Sequence, residues 1–314
     1  MSKIWYYISM NPQERFRKGL EKFIANKKFN SLEEVQAAVD EFTRQYNNTP
    51  LDDFCGLSPN EMWRILYHPF NSPEVVDFNL DAQVPQDAPR LKLLLRLLQK
   101  IDESEGIKST AKGNLPRNLC RELEKEYYNE EDYSHIRSLG ALMSEMEFVE
   151  LHVVRIIAVM AGYIRKYRKR FVVTKRGKLL LKHGITAKEF LHILRVYTRD
   201  FNWAYSDGYP EFPIIQNSFL FTLYLLKKFG DRYSEPEFYS SLFIKAYPDV
   251  LEEATNPLYT SPEKDVKGCY EFRALRRFAI EFGFADMQRK ESTYYLQKFV
   301  LKRSRFLEEF VIFK

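Results

Sequence analysis

Cysteine is scarce and dispersed: the chain has only Cys55, Cys120 and Cys269. An odd, widely spaced set without a Cys-x-x-Cys pair excludes a disulfide framework and a cysteine-based metal knuckle, and suits a reducing cytoplasm. Each reads as a small buried residue. Glycine and proline are also sparse, at 12 and 14 of 314 residues, which excludes collagen-like and low-complexity chains. Long apolar runs are lacking. The longest, Leu151 to Ile164, has 14 residues and is broken by His152 and Arg155. A membrane span needs roughly 18, so this run predicts a buried core helix and no membrane partner. The apolar run at Ile4 to Met10 has no cleavage-site pattern and is not expected to be a secretory signal.

Catalytic signatures are missing too. There is no Gly-x-Gly-x-x-Gly, no phosphate-binding Gly-x-x-x-x-Gly-Lys-Ser/Thr, no His-Glu-x-x-His and no Gly-x-Ser-x-Gly. His183 and His192 lack an acidic or Cys partner at ligand spacing, so neither a metal nor a cofactor is expected. His152, inside the apolar run, reads as a satisfied core histidine. Asp52-Asp53 reads as a turn or capping pair, because acid/base work also needs burial that separates two pKa values. The expectation is a protein without catalytic residues.

The most telling absence is of acid. From Leu151 to Lys188 there is no Asp or Glu, against eleven basic residues. Residues 31–89 run the other way, with eleven acidic and two basic residues, within a chain of net charge +5. Such asymmetry predicts either an anionic partner or docking of the negative segment on the positive one. For a nucleic acid, DNA or RNA, the candidate contacts are Arg165, Lys166, Arg168, Lys169, Arg170, Lys175, Arg176 and Lys178. Arg273, Arg276 and Arg277 form a second candidate patch. Neutralised phosphates release counterions, and the interleaved Tyr163, Tyr167 and Phe171 suit base stacking. A protein-interaction scaffold is the alternative.

What the chain does contain is enough for several cores. Hydrophobic residues are 45% and aromatics 15% of the sequence, and aromatic rings carry large buried areas. Ser31, Ser58, Thr186 and Ser234 each precede Glu by three residues, the pattern of a capping box. Residues 1–70 therefore predict a helical module, with helices at about 11–26, 32–46 and 59–67. Residues 71–89, with Pro73, Pro85 and Pro89, predict a linker or packing arm. Residues 90–208 predict a central module. Residues 209–314 predict a third, with helices at 215–229, 235–246 and 268–282 and a hairpin near 284–301.

Within the central module, Thr110-Ala-Lys-Gly113-Asn-Leu115 and Thr174-Lys-Arg-Gly177-Lys-Leu179 form a weak internal repeat, each after an apolar helix. The pattern resembles the end of a winged-helix domain of the MarR type, where the last wing strand turns into the next helix. Gly162 to Thr174 is the candidate wing, with its tip near Tyr167-Arg168, and Gly177 is expected to permit a sharp turn. The preceding helix, Phe148 to Ala161, is apolar nearly all round, so the resemblance does not imply base reading by that helix.

Two wider resemblances apply. Tyr46 to Met62, Thr110 to Pro116 and Phe219 to Gly230 resemble an uncharacterised bacterial family, of the plasmid-borne open-reading-frame and SEC-C-associated type. That resemblance brings no activity, and the cysteine-rich SEC-C motif is missing. Ser31 to Met62 is similar to the C-terminal segment of integrase-type transposases. The carboxylate core that precedes it in those enzymes is not present, leaving a shared helix-loop-helix shape. The expected fold is mainly α with short β-hairpins: a helical N-terminal module plus tandem winged-helix-like modules.

Overall fold

Local capping sets the first helices. In a computed structural model, which describes residues 12–205, 207–254, 261–293 and 296–314, Ser58 heads a complete capping box. The Glu61 amide donates to Ser58 Oγ (3.3 Å) and the Ser58 amide to Glu61 Oε2 (2.7 Å). Ser31 and Thr186 also cap, accepting from the Glu34 and Glu189 amides. Ser234 does not. Its backbone bridges to Leu301, so the next helix starts at Pro236 behind Glu235, without a side-chain cap.

The helices α1 (Pro12–Ile24), α2 (Leu32–Asn48) and α3 (Pro59–Tyr67) follow the sequence pattern. The arm after them is not free chain: β1 (Val76–Phe78) pairs antiparallel with β7 (Val311–Phe313) at the far end of the sequence. Next come α4 (Pro89–Glu103), β2 (Ile107–Lys108), α5 (Arg117–Tyr127), α6 (Glu130–Ser138), α7 (Val149–Met160), β3 (Ile164–Tyr167), β4 (Arg170–Val173), α8 (Lys175–His183) and α9 (Ala187–Arg195). The last third holds α10 (Pro213–Asn217), α11 (Phe219–Phe229), α12 (Pro236–Ala246), α13 (Val250–Glu253), α14 (Pro262–Tyr270), β5 (Ala285–Thr293), β6 (Leu296–Arg303) and α15 (Arg305–Phe310). A wide, π-type turn continues α14 through Glu271–Ile280. The fold is thus mainly α with short antiparallel strand pairs. The run from Met1 to Asn11 and the Tyr294-Tyr295 connection lie outside the described residues.

All but one of the buried apolar side chains, Val300, form one connected set, from Cys55 and Leu57 to Phe310 and Val311. Aromatic rings dominate it. Phe190, for example, meets Phe282, Phe284, Phe306 and Phe310 edge-on, at centroid distances of 4.9–6.2 Å. That geometry suits the ring quadrupoles. All three cysteines are buried, as free thiols. No helix among the described residues is long and apolar enough to cross a membrane.

The two copies of the Thr-x-basic-Gly repeat are not equivalent. Thr174 caps α8, accepting from the Gly177 amide (3.1 Å). Thr110 instead accepts from the Asn114 amide, closing a turn ahead of a helix that starts at Arg117. Gly177 makes no sharp turn; it lies inside α8. Its role is close approach, since a Cβ there would sit 2.3 Å from the Tyr163 carbonyl oxygen.

Candidate nucleic-acid interface

The acid-free stretch supplies β3, β4 and α8 of a closed unit. Gln86 and Ile185 staple its ends: the Gln86 amide donates to the Ile185 carbonyl and accepts from the Ile185 N–H, both at 2.8 Å. Between them run α4, β2, α5, α6, α7, the β3–β4 hairpin and α8. The three strands form an antiparallel sheet in the order β2, β4, β3.

Register decides which cations share a face. Ile107 pairs with Phe171 and Lys108 with Arg170; Arg165 pairs with Val172, Lys166 with Phe171, and Tyr167 with Arg170. Cross-strand partners lie on the same side of a sheet, and sides alternate along each strand. One face therefore carries Ile107, Ile164, Phe171 and Val173 into the core, with Lys166 at its outer end. The other carries Lys108, Arg165, Tyr167, Arg170 and Val172. On that face the three cations and Tyr167 are exposed. Tyr167 is 48% exposed, and the Arg165 and Arg168 guanidinium groups lie 5.3 and 5.2 Å from its ring centre.

Two local choices here oppose stability. The hairpin tip is Arg168-Lys169, one residue beyond the expected position, and both have positive φ (48° and 61°). A two-residue hairpin loop needs that conformation, which favours Asn-Gly and strains other side chains. The first turn of α8 carries Lys175 and Arg176 and no acid, against the helix dipole. Arg176 is compensated by Glu189 (3.0 Å). Lys178 lies 3.6 Å from Asp102. Lys108, Arg165, Lys166, Arg168, Lys169, Arg170 and Lys175 have no carboxylate within 4.0 Å among the described residues. Arg170 donates to the Gly106 carbonyl, and Lys166 to that of Gly113 (3.5 Å). No acidic residue of 31–89 pairs with this ridge among the described residues.

Behind the sheet, α7 is buried over most of its length, as its apolar composition predicts. His152 is a satisfied core histidine. Its Nδ1 lies 2.7 Å from Glu145 Oε1 and its Nε2 2.9 Å from the Tyr205 hydroxyl. Glu145 also accepts from Arg155 Nε (2.5 Å) and from the Leu115 amide. Burial acts to raise the Glu145 carboxyl, but hydrogen bonds from His152 and Arg155 outweigh it, and the pKa is held below the usual glutamate value. This network ties the segment before α7 to the turn after β2.

The second expected patch does not assemble. Arg273 is an interior residue, 1% exposed. It grips Asp207 through Nε–Oδ2 (2.6 Å) and Nη2–Oδ1 (2.8 Å), and donates to the Glu211 carbonyl (2.5 Å). The helical spacing that set it apart from the Phe272 stripe turns it toward the 207–211 loop, not to water. Arg277 is largely covered and stacks on Phe272 at 4.4 Å. Arg276 is exposed, but it lies within electrostatic reach of Asp132 and Glu281. Lys108 belongs to the ridge and was missed, because only the strand pairing brings it beside Arg170. No group of three or more metal-ligating side chains is found among the described residues.

Residues 86–186 match the family model of the Y4jL N-terminal domain. That is about a third of the chain, and its ends coincide with the Gln86–Ile185 staple. The family is an uncharacterised one of plasmid type. No curated protein and no solved structure matches the chain.

Proposed function

We propose that this protein binds nucleic acid without catalysing a reaction on it, through phosphate contacts made by the β3–β4 hairpin and Lys108. The observation that carries the reading is a cationic face and tip without carboxylate partners among the described residues, its tip built where local preference would put other residues. Departures from local preference concentrate where function demands them. The order helix, strand, helices, hairpin resembles a winged-helix unit whose wing is the basic element. The helix before the hairpin, α7, is buried over most of its length and offers no polar face to a groove, which favours backbone contact over base readout.

The test is the affinity of the full chain for a random-sequence DNA duplex, followed by fluorescence anisotropy as salt is raised. If Lys108, Arg165, Arg168, Lys169 and Arg170 each neutralise one phosphate, log K falls against log salt with a slope of about −4.5. That is a loss of about 500-fold between roughly 50 and 200 mM salt. A flat salt dependence, or no binding at low salt, refutes the proposal. The scaffold reading has one observation in its favour: Leu139, Met143 and Met146, around the loop before α7, are exposed large apolar residues. Salt-insensitive capture of a protein partner, with no duplex or single-strand binding, would favour it.

A further inference from the structure

We infer that two copies of this chain associate through α1 and α2, with α1 of each copy packed on α2 of the other. The inference is independent of nucleic-acid binding. Helix α1 places Phe16, Leu20, Phe23 and Ile24 on one face, and α2 places Val35, Ala38, Val39, Phe42 and Tyr46 on one face. The two faces meet. Phe16 touches Phe42 and Tyr46 at centroid distances of 5.3 and 5.2 Å, and Phe23 touches Phe42 at 5.4 Å. Gly19 lets the helices close, since a Cβ there would lie 2.9 Å from the Phe42 ring. Yet no described side chain of either helix is buried. Most other helices bury an apolar face in a shared core, whereas this seam is left half open. An amphipathic pair of helices reaches full burial only against a further layer.

Charge identifies that layer. Residues 12–30 carry six basic side chains and two acidic ones, whereas α2 carries Glu33, Glu34, Asp40 and Glu41 against Arg44 alone. Arg17, Lys22, Lys27 and Lys28 on one side, and Glu33, Glu34 and Asp40 on the other, are exposed. A surface that joins a basic helix to an acidic one is complementary to itself under two-fold rotation, the symmetry of an isologous dimer. The positive helix of each copy then faces the negative helix of the other, and the two half-open seams close on each other as a four-helix layer.

The experiment uses three full-length proteins: the wild type, a variant with Glu33→Lys and Asp40→Lys, and a variant with Arg17→Glu and Lys28→Glu. Sedimentation and light scattering read the mass. The wild type should show twice the 37.5 kDa chain mass. Each variant alone should be monomeric at the same concentration: the first carries positive charge on both segments, and the second has lost the net positive charge of residues 12–30 that faces the acidic α2. An equimolar mixture should recover the dimer, since the basic variant complements the acidic one. Recovery also shows that both variants are folded. A monomeric wild type overturns the inference, whether the seam is then covered by residues 1–11, by another protein or by nothing. A dimer that neither pair of reversals weakens overturns it as well.

Discussion

Replacing the hairpin tip Arg168-Lys169 with Asn-Gly should move stability and binding in opposite directions. Both residues are held at positive φ, where an L side chain costs about 1–2 kcal/mol and glycine almost nothing. Asn tolerates the same region. The double variant should therefore be more stable by about 1–2 kcal/mol, a few degrees in Tm for a chain of this size. Its duplex affinity should fall and its salt slope should flatten from about −4.5 to about −2.7, because two phosphate contacts are gone. The loss between roughly 50 and 200 mM salt then shrinks from about 500-fold to about 40-fold. Thermal unfolding and anisotropy titrations on the same preparations read both effects. A gain in Tm with an unchanged salt slope would show that the strained cations touch no phosphate. A lower Tm would show that the tip is not strained.

Three further outcomes follow from the same geometry. Lys108→Ala should reduce the steepness of the salt slope by about 0.9, with no change in Tm, as read by the same titration. Arg273→Ala removes the two close charged hydrogen bonds of the buried Asp207 carboxylate, leaving it Arg277 at 3.9 Å and the Tyr209 amide, and should cost about 3 kcal/mol, read by denaturant unfolding, while the salt slope of the folded variant stays that of the wild type. Glu145 has a folded pKa below its unfolded value. The stability it contributes is thus present above the ordinary glutamate pKa and is lost as pH falls through the folded value. Glu145→Gln should lower stability at neutral pH and flatten the acid limb of the stability curve; an unchanged acid limb would refute the assigned network.

The sequence made some of this legible and hid the rest for identifiable reasons. Capping chemistry is local, so α2 and α3 were readable to within a few residues. Ser234 misled because a distant strand residue, Leu301, claims its backbone. The basic hairpin was visible as charge flanking a Val-Val strand, but its exposure was not, because the acidic residues of 31–89 could equally have docked on it. Lys108 was hidden by 62 residues of separation from its strand partner Arg170. Arg273 was misread because periodicity tells which residues share a side of a helix, not what faces that side. Its partner Asp207 comes from a loop 66 positions earlier. The pairing of β1 with β7 was equally out of reach, since three-residue strands so far apart in the sequence leave no periodic signal.

The most direct test of the central claim is where nucleic acid touches the chain. Ultraviolet cross-linking of the full-length protein to a bromouracil-substituted duplex, followed by peptide mass mapping, reads this without substitutions. The account predicts adducts on peptides carrying Lys108 and the Arg165–Arg170 segment, with Tyr167 as the preferred attachment residue. Adducts confined to other elements, or none under low-salt conditions, would contradict it.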